Sequence, residues 1–375
     1  MGIFSLAYPR ANAVSVMVIA ALTAAALAGC AAAAGSSAGP AGQPPLTCAP
    51  QTIPVTLAPH VAGRVTGQLC ARGDPSGRLL QILVPGAGYG AYYWAFPDDP
   101  ARYSYVQAAT RAGYATLAIN RPGTEPGTGY PPAADLTVPA EARALHAVIV
   151  AARRGVLHAA GRWPAGRIWF TTVLVAAHSL GSYIAIDEAA TYGDADGLIL
   201  TGATHRINLA GRAQVAASNH PAAADPKFRA AGLPAGYLTS KPPASVRAAD
   251  FYAPPTTDPR VVQADEQLRT TTTPAELAGI TAVAADAATS RRIRVPVLLA
   301  VGQDDKLSCG PAARHLSCAT AQALLSRERP CYSAAASLSA YVVPGAGHDI
   351  NLATDARQWF TVASEWIAGH FLEAR

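Results

Sequence analysis

The sequence predicts an α/β domain: a mostly parallel, doubly wound sheet of about eight strands with an inserted helical cap. Three observations carry this. From residue 79 onward, short apolar runs alternate with segments of helical spacing. The runs show no polar alternation, which marks strands covered on both faces. One stretch, 205–290, lies between two such runs and breaks the rhythm.

Ile53–Leu57 and Val65–Leu69 read as the strands of an N-terminal hairpin. Leu79–Val84 is an apolar run closed by Pro85-Gly86, and Tyr103–Ala112 has helical character. Ala115–Asn120 is a strand ending at Arg121-Pro122-Gly123. Pro139–Leu157 is a helix with proline at its start, where the missing N–H costs nothing. Val173–Ala176 is fully apolar and Ser179–Thr191 reads as a helix. Leu198–Thr201, Val295–Val301 and Ala340–Val343 are three more strands, and Ala356–Phe371 is the last helix. Residues 205–290 contain no clear strand, only short helical patches such as Asp258–Leu268 and Pro274–Ala287. A structureless loop of that length does not suit a compact domain, so the stretch reads as a helical cap. The core is then 48–204 with 291–375. Because the cap's apolar residues are mostly alanine, it is expected to add little to the core.

Half of the 375 residues are hydrophobic and 14% are charged, which excludes a disordered chain. The net charge of +5 is spread thinly, without a run of five basic residues, so nucleic acid is not an expected partner. Arg10 is the only charge ahead of the apolar run Ala13–Ala28. That run is short for a membrane span and ends in Leu27-Ala28-Gly29-Cys30, which resembles the bacterial lipobox. Residues 1–29 are therefore expected to be a signal peptide with a lipobox. Cys30 is the expected site of diacylation, and 30–47 a tether with hardly a large side chain. This places the protein outside the cytoplasm, anchored by lipid to the outer face of the cell membrane, as a monomer.

Five cysteines remain. In an oxidising compartment Cys48 and Cys70 are placed to staple the hairpin, and Cys309 and Cys318 to close a loop. Cys331 is then left over, with Cys309–Cys331 as the competing pairing. No Cys-x-x-Cys or paired-histidine spacing suggests a metal, and no organic cofactor is implied.

The chemistry centres on Thr172-Val173-Leu174-Val175-Ala176-Ala177-His178-Ser179-Leu180-Gly181-Ser182, an apolar strand, then small-x-Ser-x-small, then a helix. A serine on so sharp a turn needs tiny neighbours. The turn also puts the N–H of Leu180 at a helix start, where developing negative charge is stabilised. A serine hydroxyl needs a base, and His348 follows the last strand in a glycine-rich loop, Pro344-Gly345-Ala346-Gly347-His348. His178 is the rival base, but it directly precedes the serine and is expected to point away from it. The acid that orients the histidine follows Val301-Gly302-Gln303, where Asp304 and Asp305 both qualify. The order Ser, Asp, His differs from that of the trypsin and subtilisin types.

Ala177-His178-Ser179-Leu180-Gly181, Gly302-Gln303-Asp304-Asp305 and Gly345-Ala346-Gly347-His348 together resemble the α/β-hydrolases of the esterase, lipase and haloperoxidase type. The resemblance runs over about residues 50–373 and implies a Ser179–Asp305–His348 triad, Asp305 being the last residue of Gly-x-x-Asp. Val84-Pro85-Gly86-Ala87-Gly88 resembles the family's oxyanion loop, implying Ala87 and Leu180 as donors. Gly67-Gln68-Leu69-Cys70 and Tyr93-Trp94 resemble a secreted actinobacterial subgroup. Two departures stand out. Ala177 replaces the family glycine, and Pro85 replaces a histidine that braces the oxyanion loop. The function implied is cleavage of a carboxylic ester or related acyl bond through an acyl-enzyme. The alternatives are a cofactor-free haloperoxidase or perhydrolase activity, and an inactive hydrolase fold kept as a surface binding protein.

Overall fold

The structure is a computed structural model that describes residues 42–163, 167–311 and 315–372. The expected signal peptide, Cys30 and the expected tether up to residue 41 lie outside the described residues. No helix among the described residues is long and apolar enough to cross a membrane.

Among the described residues ten strands form in chain order: β1 Leu46–Ala58, β2 Val61–Arg72, β3 Leu80–Val84, β4 Ala115–Asn120, β5 Val173–His178, β6 Gly197–Thr201, β7 Asn219–Pro221, β8 Leu238–Ser240, β9 Val297–Gly302 and β10 Leu338–Val343. Eight make one sheet in the order β1-β2-β4-β3-β5-β6-β9-β10. β2 runs antiparallel to both β1 and β4, and every other neighbour pair is parallel. The helices are α1 Pro100–Tyr103, α2 Tyr105–Arg111, α3 Val138–Arg153, α4 Leu180–Thr191, α5 Leu209–Ser218, α6 Ala244–Phe251, α7 Pro259–Leu268, α8 Pro274–Ala285, α9 Ala287–Ser290, α10 Ala321–Glu328 and α11 Ala356–Phe371.

Alternate residues of the central strands feed two separate cores. Val173, Val175 and Ala177 of β5 join one, and Leu174 and Ala176 join the other. That is the period of two expected for a strand packed on both faces. β1 differs, because it is the sheet edge. Its burial alternates, and Pro50 and Pro54 are tolerated there because no further strand asks for their N–H.

Three expectations need correction. β1 begins at Leu46 rather than Ile53, so Leu46 and Thr47 belong to the sheet and not to the tether. The stretch 205–290 holds α5 to α9 and also a small hairpin, β7 with β8, where no strand is legible. Each arm has three residues, with polar Asn219, His220, Thr239 and Ser240 among them, so no hydrophobic pattern announces it. Finally, the stretch is not marginal to the core. Phe251, Tyr252, Val261 and Val262 join one apolar cluster, and Phe228, Tyr237 and Ile280 join the other. Its few large side chains carry the contact that its alanines do not.

Cys48 and Cys70 face each other across β1 and β2 and are bridged, as are Cys309 and Cys318. Cys331 is free and half-buried.

The C-terminal ends of β3, β4, β5, β9 and β10 all release loops on one edge of the sheet, which is where open α/β sheets gather their chemistry. The crossing of two of these loops leaves no room. A β-carbon at Gly302 would lie 1.9 Å from the Gly347 carbonyl oxygen and 2.3 Å from that of Ala346. Gly302→Ala is therefore expected to push aside the loop ahead of His348, lowering both melting temperature and turnover. Gly369→Ala in α11 meets nothing within 4 Å and is expected to stabilise by about 0.5–1 kcal/mol. Thermal melts of the two variants check the contrast, and equal behaviour would mean the two loops are not in contact.

Candidate active site

β5 delivers Ser179. After six buried residues the chain turns there with φ +51° and ψ −120°, a left-handed conformation that a serine adopts only when its surroundings impose it. Those surroundings are specific. The Ser179 N–H donates to the Thr201 carbonyl at 2.8 Å, and Ser182 Oγ donates to the carbonyls of Ala177 and Thr201, both at 2.9 Å. A β-carbon at Gly181 would lie 2.7 Å from the carbonyl oxygens of Val84 and Pro85, so the helix start can press against the β3 loop only as glycine. Ala177 takes the other small position with its side chain fully buried.

β9 ends at Gly302, and Asp305 follows, buried, with its Oδ2 2.9 Å from His348 Nδ1. Its Oδ1 accepts the N–H groups of Leu307 at 2.8 Å and Ser308 at 3.2 Å. Burial alone pushes the carboxyl up, but the charge and hydrogen bond of His348, with these N–H groups, outweigh it and hold the group down to about 2. An ionised Asp305 keeps the imidazole proton on Nδ1 and leaves Nε2 as an acceptor. Nε2 of His348 is buried and makes no hydrogen bond among the described residues. Asp304 is exposed, and its backbone N–H donates to the Ala346 carbonyl. The two adjacent carboxylates are thus separated by geometry.

His178 has both ring nitrogens engaged by groups other than Ser179, for a reason absent from the sequence. Its Nε2 lies 3.1 Å from Asp349 Oδ1, and its Nδ1 lies 3.0 Å from Thr201 Oγ1 and 3.2 Å from the Tyr93 hydroxyl. Both nitrogens are occupied, and burial pushes its pKa down. The ring borders Gly86, which abuts Ser179 Cβ, and shares Gly202 with His348; the two imidazole centroids are 4.8 Å apart. Asp349 also accepts the Tyr89 hydroxyl, and Tyr89 reaches on to Asp265 at 3.2 Å. Asp265 is held by Arg247 at 2.8 and 3.0 Å and by the hydroxyls of Tyr92 and Tyr252. One buried polar network therefore runs from the histidine beside Ser179 into the inserted stretch. The signal that points to it is adjacency: His178 precedes the serine, and Asp349 follows the histidine.

The inserted stretch also holds the His348 loop by its main chain. The Phe251 carbonyl accepts the N–H of His348 at 2.7 Å and of Asp349 at 3.2 Å.

The departure at Pro85 has a structural answer in Arg121, at the end of β4. Its Nε donates to the Pro85 carbonyl at 3.2 Å and its Nη2 to that of Gly86 at 3.1 Å, so the β3 loop is braced from the side. The N–H groups of Ala87 and Leu180 donate to no backbone acceptor among the described residues. Arg121 Nη1 is in turn gripped by Glu141, at 2.6 and 2.9 Å, and by Glu276.

The family model of the alpha/beta hydrolases matches residues 81–361, and the chain belongs to that family. No curated protein matches the chain at a significant level. An esterase from Thermogutta terrifontis superposes with a TM-score of 0.55 at 17% identity, covering 85% of this chain and 99% of that one. A bromoperoxidase from Bacillus anthracis superposes with a TM-score of 0.55 at 11% identity, covering 84% and 99%. At such identities the likeness is one of fold. The family and the fold together make this protein a hydrolase.

Arg121 gives a testable pH dependence. One guanidinium cannot neutralise two buried carboxylates. Burial and the neighbouring Glu276 charge outweigh Arg121, and Glu141 is pushed up from 4.5 to about 8. A raised folded-state pKa stabilises the fold fully below the unfolded value and loses that stabilisation as pH rises through about 8. Glu141→Gln is therefore expected to flatten the fall in stability over this range. Denaturant melts at about pH 5 and about pH 9 measure it. An unchanged pH slope would show that Glu141 does not carry the proton.

Proposed function

We propose that the chain cleaves carboxylic esters through an acyl-enzyme formed on Ser179. The observation that carries this is the buried His348–Asp305 pair, with a bare Nε2, on the same sheet edge as a serine held in a strained turn. His348 Nε2 takes the proton as Ser179 Oγ attacks the carbonyl carbon. The oxyanion forms against the free N–H groups of Ala87 and Leu180, the latter at the positive end of α4. The proton then passes to the leaving alcohol, and the same base activates a water that frees the acid. Asp305 stays ionised throughout and stabilises the imidazolium. Arg121 keeps Pro85 and Gly86 in place, so the Ala87 N–H is fixed before substrate arrives. Residues 205–290 act as a lid that excludes water and selects the acyl group.

A fluorophosphonate probe is expected to label Ser179 alone. Ser179→Ala should abolish labelling and cost at least ~10³-fold in ester turnover. Labelling that persists in that variant would remove the assignment, and a wild-type chain that takes no label would favour an inactive binding protein. Asp305→Asn should damage turnover far more than Asp304→Asn. Equal losses would mean that the wrong carboxylate has been chosen.

The same reading places the enzyme outside the cytoplasm, with Cys30 diacylated and anchored to the cell membrane. The lipobox-like Leu27-Ala28-Gly29-Cys30 supports this, and the two disulfides suit an oxidising compartment. Cys30→Ser should release the hydrolase from the membrane fraction or block its processing. Unmodified Cys30 in soluble, secreted protein would show an ordinary signal peptide instead.

A further inference from the structure

Away from Ser179, α3 and α4 bring together three groups that the hydrolase chemistry does not use. His146 projects from α3, Glu188 from α4, and Asp194 from the turn between α4 and β6. Glu188 is eight residues along α4 from Leu180, about 12 Å from the helix start at 1.5 Å per residue. His146 Nδ1 lies 2.7 Å from Asp194 Oδ2 and 3.9 Å from Glu188 Oε1. One ligand atom from each of the three falls within 4.8 Å of the others.

The cluster differs from an ordinary ion pair in what it lacks. The Glu188 side chain is 0% exposed, yet neither of its oxygens has a hydrogen-bond partner among the described residues. His146 Nδ1 and Asp194 Oδ1 are equally unpartnered, so the 2.7 Å approach of imidazole to carboxylate is off the line of a hydrogen bond. Arg153, the nearby cation, is engaged elsewhere: it donates to the Asp194 carbonyl at 2.6 Å and to the Asp196 carboxylate at 2.7 Å. A buried carboxylate with no donor is costly, and proteins remove that cost with a cation or a proton. Tyr192 stacks on the His146 ring, with centroids 4.0 Å apart, and fixes the plane in which Nδ1 points.

We propose that His146, Glu188 and Asp194 form a binding site for a zinc ion. The donor set selects the metal class. Imidazole nitrogen with two carboxylate oxygens suits a borderline ion such as Zn2+, whereas Ca2+ and Mg2+ favour oxygen alone. Bonds of about 2.1 Å in a tetrahedron place ligand atoms about 3.4 Å apart, and the 2.7 and 3.9 Å separations bracket that value. Three protein ligands leave the fourth position to water. Bound there, the ion ties α3, α4 and the turn into β6 together at the end of α4 far from Ser179.

The purified chain, stripped with chelator and dialysed, is titrated with Zn2+ alone. The expected result is one zinc per chain and a melting temperature that rises with zinc concentration. His146→Ala, whose side chain is 33% exposed and whose loss spares the core, should weaken binding at least ~10-fold and abolish the zinc-dependent rise. Glu188→Gln should do the same, while His158→Ala, at an exposed histidine elsewhere, should bind as the parent does. Zinc binding that survives His146→Ala would overturn the proposal. So would a parent chain that binds no zinc while Glu188→Gln raises its metal-free stability, because the cluster would then hold a shared proton.

Discussion

Everything around the candidate site serves one backbone constraint, the left-handed turn at Ser179. A serine held at φ +51° is a local cost that must be met by neighbours. The hydrogen bonds from Ser179 and Ser182 to Thr201 lock the turn to β6. Gly181 lets the helix start press on the β3 loop, and Arg121 keeps that loop from springing away. These contacts join β3, β4, β5 and β6, so the central half of the sheet is organised around one residue. Rigidity here suits chemistry in which donors must be in place before charge appears.

A second layer of order is electrostatic. Asp305 is ionised because His348 and two backbone N–H groups favour its charge over the penalty of burial. Next to it, burial wins for His178, which is kept from charging. Two imidazoles with centroids 4.8 Å apart are thus set to different tasks by their partners. Arg247 and Asp265 close the far end of the same network as a buried ion pair, and the Tyr89 hydroxyl spans from that pair to Asp349.

Much of this was legible from the chain alone, and the reasons are local. β4 at Ala115–Asn120 and α11 at Ala356–Phe371 appear with the predicted bounds because each is an unbroken periodic run with clear ends. Ser179, Asp305 and His348 stand out in the sequence because each follows an apolar strand and has a glycine within three positions. What escaped was of two kinds. β7 and β8 have three residues each, too few to show a period. The polar network joins Tyr89 to Asp349 across 260 positions, and Arg121 to Glu276 across 155. No pattern within a short window encodes such pairings. Even so, the substitution of proline at position 85 was itself a clue, since a brace missing from its familiar place had to be supplied from somewhere else.

The hold of Phe251 on His348 has a further meaning. It is made by a main-chain carbonyl and two main-chain N–H groups, so side chains in the inserted stretch can change without breaking it. Sequence drift there can reshape whatever the stretch encloses while His348 keeps its position. An insertion tied to His348 through its backbone is free to vary its side chains, but it cannot be removed without freeing the His348 loop. The same bonds make the imidazole a reporter on its covering. Any opening large enough to draw Phe251 outward would carry His348 with it, so the histidine and its covering would leave together.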